Sequence, residues 1–236
     1  MWESVINGQQ LHFHLAGINN QNFIMRDEET GSWWQQVSGE AILGPLKGQK
    51  LRSVFHDEVT FGLWKKEQQQ GRVLKPDPNV PAKSYPPANW DERMSRVPVN
   101  ISQNLDQTLA PRTLVVGLTV GVKTKAYPFD VLVKQSPIID DVGGVPILLV
   151  VGRDGKSLRG FQRILEGRKL EFFAKKDSEQ LVLIDAETGS EWDFTGKAIS
   201  GPLSGRQLKK VPLLKDYWFD WKTYNPTTSV YELGER

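Results

Sequence analysis

Short apolar runs, many with polar residues at alternate positions, recur along the whole chain. LHFHL, NFIM and AILGPL come first, then TLVVGLTVGV, AYPFDVLV and VPILLVVG, then KLEFF, LVLI and AISGPL. They are rich in β-branched and aromatic residues, and each stops at a turn containing Gly, Pro or Asp, as strands joined by hairpins do. Only DEVTFGLWKKEQQQ, from Asp57, and KDYWFDWKTYNP, from Lys215, have helical spacing. Asp57 and Asp216 are expected to cap the first turns of these helices. The predicted fold class is mainly β with few short helices, in which two internally repeated hairpin units pack as one body.

The repeat is written almost verbatim. ETGSWWQQVSGEAILGPLKGQKL begins at Glu29 and ETGSEWDFTGKAISGPLSGRQL at Glu187. Aligned outward, Leu11 falls on Leu170, Asp27 on Asp185, Trp34 on Trp192, and Trp64 on Trp221, a match too long and regular for chance. The shared phrase reads as a hairpin in which the Asp ends one strand, Glu-Thr-Gly-Ser turns the chain and the Trp starts the next strand. The Asp is expected to accept backbone N–H bonds in the turn, and both tryptophans are expected to be core.

Between the repeats, residues 75–111 hold seven of the 14 prolines and read as an extended connector, because proline breaks both sheet ladders and helix interiors. The expected division is a first copy over residues 1–74, the connector over 75–111 and a more complete second copy over 112–236. The second copy has a lead-in of strands that the first lacks, so the chain is expected to start partway through a domain. The copies are expected to press their Trp-bearing faces together, or to share one continuous sheet with the strands of the lead-in.

Composition narrows the chemistry. Thirty Lys and Arg against 28 Asp and Glu leave a net charge of +2, with the basic residues in short pairs; this is a solvated surface and not a nucleic-acid footprint. The chain has no cysteine, hence no disulfide, thiolate metal site or cysteine nucleophile. No apolar run reaches the roughly 18 residues of a membrane span, and the first residues lack signal-peptide character. GRDGKS, from Gly152, lacks the spacing of a phosphate loop and reads as a turn. No catalytic motif is visible, and no cofactor is specified.

The segments LAGINNQNFIMRDEETGSWWQQVSGEAILGPLKG, AYPFDVL, VGGVPILLV, DAETGSEWDFTGKAISGPLSG and WFDW resemble a bacterial family described as domain of unknown function 3179. The resemblance implies a β-rich fold, common among secreted or envelope proteins, with no established activity. Many members carry a Cys-Pro-x-Cys-type segment after the strand matching VGGVPILLV, where this chain reads VGRDGKSL without cysteine. An exported location and an envelope protein partner are expectations of this resemblance alone.

Residues that differ between the copies are the better candidates for chemistry, since identical positions serve the shared backbone. Ile18 to Asn22 concentrate amides ahead of a strand, and Arg26 stands where the second copy has Ile184. Asn20, Asn22, Arg26 and Gln35 are therefore candidate ligands for a small polar or anionic molecule, with the shared turn residue Asp27 beside them, since an Arg replacing an aliphatic residue suits a bidentate anion contact. His12 and His14, two apart on a strand, form half of a metal site and suggest a metal-assisted enzyme as the alternative. A structural envelope repeat without any site is the remaining alternative.

Overall fold

A computed structural model describes all residues except 82–83, 88, 102–104, 177, 179 and 233–236. In chain order, a small hairpin of β1 (Val5–Ile6) and β2 (Gln9–Gln10) precedes an antiparallel meander of β3 (Phe13–Asn19), β4 (Asn22–Asp27), β5 (Trp33–Gln35) and β6 (Ala41–Leu43). Two helices follow, α1 (Phe61–Glu67) and α2 (Trp90–Ser95). Then come β7 (Leu114–Val120), β8 (Lys123–Pro128), α3 (Phe129–Gln135), β9 (Ile138–Val142), β10 (Val145–Val151) and β11 (Leu158–Gln162). A hairpin of β12 (Ile164–Leu165) and β13 (Arg168–Lys169) leads to a second meander of β14 (Phe172–Ala174), β15 (Val182–Asp185), β16 (Glu191–Asp193) and β17 (Ala198–Ser200). The chain closes with β18 (Leu213–Tyr217), α4 (Trp218–Tyr224) and β19 (Ser229–Val230). The fold is mainly β, as the pattern predicts.

The core is built around β10. Its run VPILLVV has no polar alternation because both faces are covered. Ile147, Leu149 and Val151 face Val116, Leu118, Tyr127 and Leu132, on β7, β8 and α3, while Leu148 and Val150 face Phe161, Phe172, Leu183 and Trp192. β9 and β11 flank β10 in an antiparallel sheet, and a second sheet runs in the order β18-β7-β8-β19.

The two meanders have the same internal construction but different neighbours. In each, Ser32 or Ser190 stands so close to Gly44 or Gly201 that a Cβ there would lie 2.7 or 2.6 Å from the serine Cα, so only glycine fits. Trp34 and Trp192 are both fully enclosed, as expected of core residues. Their faces, however, do not meet, and the meanders belong to separate sheets. Trp192 joins the large cluster against β10, whereas Trp34 closes a local one with Leu11, Ala41 and Leu51. The lead-in strands supply an apolar face for the second meander alone, so the expected Trp-to-Trp packing is not formed.

Three local readings are also corrected. AYPFDVLV is half strand and half helix: Pro128 is the last paired residue of β8, and α3 follows at once, with Leu132 buried on the core. Within residues 75–111 the connector contains α2, whose first turn carries Asp91 and Glu92, favourable at a helix N-terminus. Neither Asp57 nor Asp216 caps its helix. The N-cap of α1 is Thr60, whose hydroxyl accepts from Leu63 N at 3.3 Å, and α4 starts at Tyr217 without a side-chain cap. Asp57 is instead drawn to Arg159 and Lys210, far along the chain, and Asp216 to Tyr217 N and the carboxyl of Asp220, one turn on.

Candidate functional site

The candidate ligands predicted in the first meander separate into three groups. Asp27 is buried inside its own turn, where its carboxylate accepts from Thr30 N at 2.5 Å, Thr30 Oγ1 at 2.9 Å and Trp34 Nε1 at 2.7 Å. Burial alone would raise its pKa, but these donors hold it below the ordinary range. Asp185 makes the matching bonds to Thr188 and Trp192, so this constellation is the scaffold of both meanders.

His12, His14 and Arg26 lie on the exposed side of the β3–β4 ladder, where His14 pairs directly with Arg26. Arg26 bends over the turn and donates through Nε to Gly31 O at 3.3 Å. His12 Nδ1 lies 2.6 Å from Glu29 Oε1, a contact that raises the histidine pKa. Among the described residues, no group of three or more His, Cys, Asp or Glu is placed to hold a metal ion.

Asn22 and Gln35 face the opposite end of the chain. Asn20 and Gln21 adopt left-handed backbone, φ 48° and 67°, in the tight turn between β3 and β4, and this delivers Asn22 at the start of β4. Its Nδ2 donates to Asp220 Oδ2 at 2.9 Å, across 198 residues of sequence. Asp220 and Tyr224 are one turn apart on the same face of α4. The other face of that helix is pinned: Trp218 and Trp221 pack with Val115 and Ala126, and a Cβ at Gly117 would fall 2.2 Å from the Trp221 ring. Gly117 thus sets how closely α4 lies on β7, and with it where Asp220 and Tyr224 point.

Asp216, next to last in β18, completes the cluster. Its Oδ1 accepts from Tyr217 N at 2.7 Å, and its carboxyl lies within hydrogen-bonding reach of that of Asp220. Burial, followed by the neighbouring Asp220 charge, pushes the Asp216 pKa up to about 8. Asp220 is also raised by burial, against the opposing pull of Asn22, Asp216 and Arg112. The two acids titrate as a pair.

Three oxygens or hydroxyls at this point, Asn22 Oδ1, Asp220 Oδ1 and Tyr224 OH, are sealed from solvent and have no hydrogen-bond partner. The Gln35 side chain lies beside the Tyr224 hydroxyl without completing a bond of good geometry. Buried polar atoms are paired in the great majority of cases, so three in one place need a cause. Arg112 borders the cluster. It stacks on Tyr217 and Phe219, 4.9 and 4.8 Å from the ring centres, and donates to Gln21 Oε1 at 2.9 Å and Val97 O at 3.0 Å.

A second set of long-range contacts joins residues 57–67 to β11. Buried Arg159 donates to Asp57 Oδ2 at 2.9 Å and, in a two-pronged contact, to Glu67 at 2.7 and 2.6 Å. Lys210 also reaches Asp57, at 2.6 Å. Beside it lies an open cleft of about 330 Å³, bordered by Trp64, Gln68 and Gly71. Every charge named here already has an opposite partner, so the region reads as a clasp. Asp154, in the turn from Gly152, accepts from Ser157 and from Thr60 Oγ1 at 2.7 Å and ties the same segment down, in keeping with the turn predicted for GRDGKS.

A family model described as "Protein of unknown function (DUF3179)" matches residues 1–228. The chain therefore belongs to this family, as its motifs imply. No curated protein and no solved structure matches it.

Asp216, Asp220 and Tyr224 were missed by sequence reasoning although a signal was present. They recur every four residues in DYWFDWKTY, and the alignment of Trp64 on Trp221 sets Asp220 against Leu63 and Asp216 against Val59. The comparison that singles out Arg26 over Ile184 singles out these acids equally well, once it is run from the second copy to the first.

Proposed function

We propose that this chain is a non-catalytic β-rich binding module, and that its site is the cluster of Asn22, Gln35, Asp216, Asp220 and Tyr224. The observation that carries this reading is the convergence of three sealed, unpaired polar atoms on a carboxyl pair. Unpaired acceptors beside acids call for a ligand that donates hydrogen bonds or carries positive charge; an anion would meet repulsion. The polar-ligand expectation is thereby moved from the Arg26 side of β4 to the Asn22 side. The matching turns and Trp bonds of the two meanders support the further proposal that the chain is a duplicated unit, one member of which supplies Asn22 and Gln35 to acids near the end of the other.

Thermal melting of the full chain tests this with chloride salts of ammonium, methylammonium, magnesium and calcium, against sodium sulfate and phosphate at matched ionic strength. The expected result is a rise in Tm with one or more cations that is lost in Asp220→Asn. A rise with the anions only, abolished by Arg26→Gln, would return the site to Arg26. A flat response to every probe would overturn the binding reading and leave a structural role.

A further inference from the structure

We propose that the open face of the first meander is a docking surface for an aliphatic β-strand of a partner protein, of the chemistry that β10 presents to the second meander. The two meanders share one register, so each position of the first has a counterpart in the second. Phe13 pairs with Asp27 as Phe172 does with Asp185, and Met25 pairs with Trp34 as Leu183 does with Trp192. Two residues before Met25 and Leu183, Phe23 matches Leu181 on the same face, which is the face of β4 opposite to Asn22. Trp2 matches Phe161. A Cβ at Gly39 would meet the Trp2 ring at 2.7 Å and one at Gly196 the Phe161 ring at 2.4 Å, and bridges join Trp2 to Ser53 and Phe161 to Lys210.

The matched positions differ in what covers them. Phe161, Phe172 and Leu183 are 1%, 2% and 2% exposed, sealed in one cluster with Leu148 and Val150 of β10, on which Leu181 and Ile139 also pack. Trp2, Phe13 and Met25 are only half-buried, and Phe23 is 46% exposed. Leu15 and Ile18, directly opposite Met25 and Phe23 on the neighbouring strand, are 59% and 65% exposed. Apolar side chains exposed singly need no explanation, but a contiguous set on one sheet face marks an interaction site. The edge beside this face is unguarded as well. β3 has seven residues and no Lys, Arg, Asp or Glu, whereas β14, in the same place, has three and is followed by Lys175 and Lys176. Lysines there discourage the approach of another strand.

The covered meander defines the chemistry of the occupant. β10 offers Leu148 and Val150, alternate branched side chains without charge, to the aromatic and aliphatic groups of the second meander. The open face presents groups of the same kinds, so a strand with Leu, Ile or Val at alternate positions fits it. A charged or amide-rich segment would lose water there without gaining hydrogen-bond partners. A second copy of this chain cannot lend its β10, which is already packed on both faces. The partner is therefore a different polypeptide that carries such a strand.

Single-cysteine labelling of the full chain tests the proposal, because the chain has no cysteine of its own. Leu15→Cys reports on the open face, and Leu43→Cys, 56% exposed on the opposite face, is the control. One probe is a synthetic peptide of residues 138–151 with a lysine tail. The other is a longer chain in which residues 112–160 are repeated in place of Met1, directly ahead of Trp2, which raises the local concentration of the same strands. Maleimide labelling of Leu15→Cys should slow at least about tenfold with either probe, while that of Leu43→Cys stays unchanged. The protection should vanish when Leu148 and Val150 of the probe are both replaced by Asp. Unchanged labelling with both probes on a folded chain overturns the proposal, and so does protection that survives the Asp replacements. Sedimentation of the full chain covers the remaining case: a dimer in which Leu15→Cys is protected without any probe assigns the face to a second copy and overturns the proposal too.

Discussion

Asp27 and Asp216 show how one residue type takes opposite electrostatic roles according to its donors. Asp27 has three hydrogen-bond donors around its carboxylate and is held in the charged form; Asp216 has one backbone donor and an acid for a neighbour, and is held neutral. The pH consequences have opposite signs. For Asp216 the native state keeps a proton that the unfolded chain loses near pH ~4. Stability should thus fall as pH rises from about 4 toward about 8 and then level off. Chemical denaturation across that range checks this, and Asp216→Asn, uncharged throughout, should flatten the slope. The contribution of Asp27 is present above the ordinary carboxylate range and is lost as pH falls below it. Trp192→Ala should cost about 3–5 kcal/mol, since the ring is wholly enclosed in the main core and its Nε1 is bonded to Asp185.

Among elements, the hairpins were the most legible and the helix ends the least. A turn such as Glu-Thr-Gly-Ser is dictated by residues within a few positions, and alternation reports a strand whose two faces differ. VPILLVVG lacks alternation for a physical reason, its two buried faces, yet its length still identifies a strand. Asp57 looks like a cap because capping is a local preference, whereas its partners, Arg159 and Lys210, stand a hundred or more residues away. No local rule sees such a pairing. The candidate site was half legible: Asn22 and Gln35 stood out as departures from the repeat, but what they face depends on where Gly117 lets α4 settle. Gly117→Ala should displace Trp221 and destabilise by about 1–3 kcal/mol, as overpacking does. Loss of cation response in the same variant would tie helix position to the site.

For the whole molecule, the clasp of Arg159 on residues 57–67 and the bond from Asn22 to Asp220 both tie the N-terminal part of the chain to the remainder. The meander's own enclosed cluster has only four buried apolar residues, too few to hold a sheet without outside support. Arg159→Met should strand Glu67, leave Asp57 to Lys210 alone and cost about 3–5 kcal/mol. Hydrogen exchange should then accelerate in β3 to β6 while amides of β10 stay protected, because β10 is packed from both sides by other elements. Equal acceleration everywhere would mean one indivisible cooperative unit. The bond from Asn22 to Asp220 also has a consequence in time. A ribosome adding 5–20 residues per second delivers Asp220 roughly 10–40 s after Asn22, given the 198 residues between them. Until Arg159 is made neither attachment can form, and until Asp220 follows the bond from Asn22 cannot; Leu15, Ile18 and Phe23 are exposed even in the finished protein. The N-terminal sheet is thus expected to stay more open to protease in arrested nascent chains than in the finished protein until α4 has emerged.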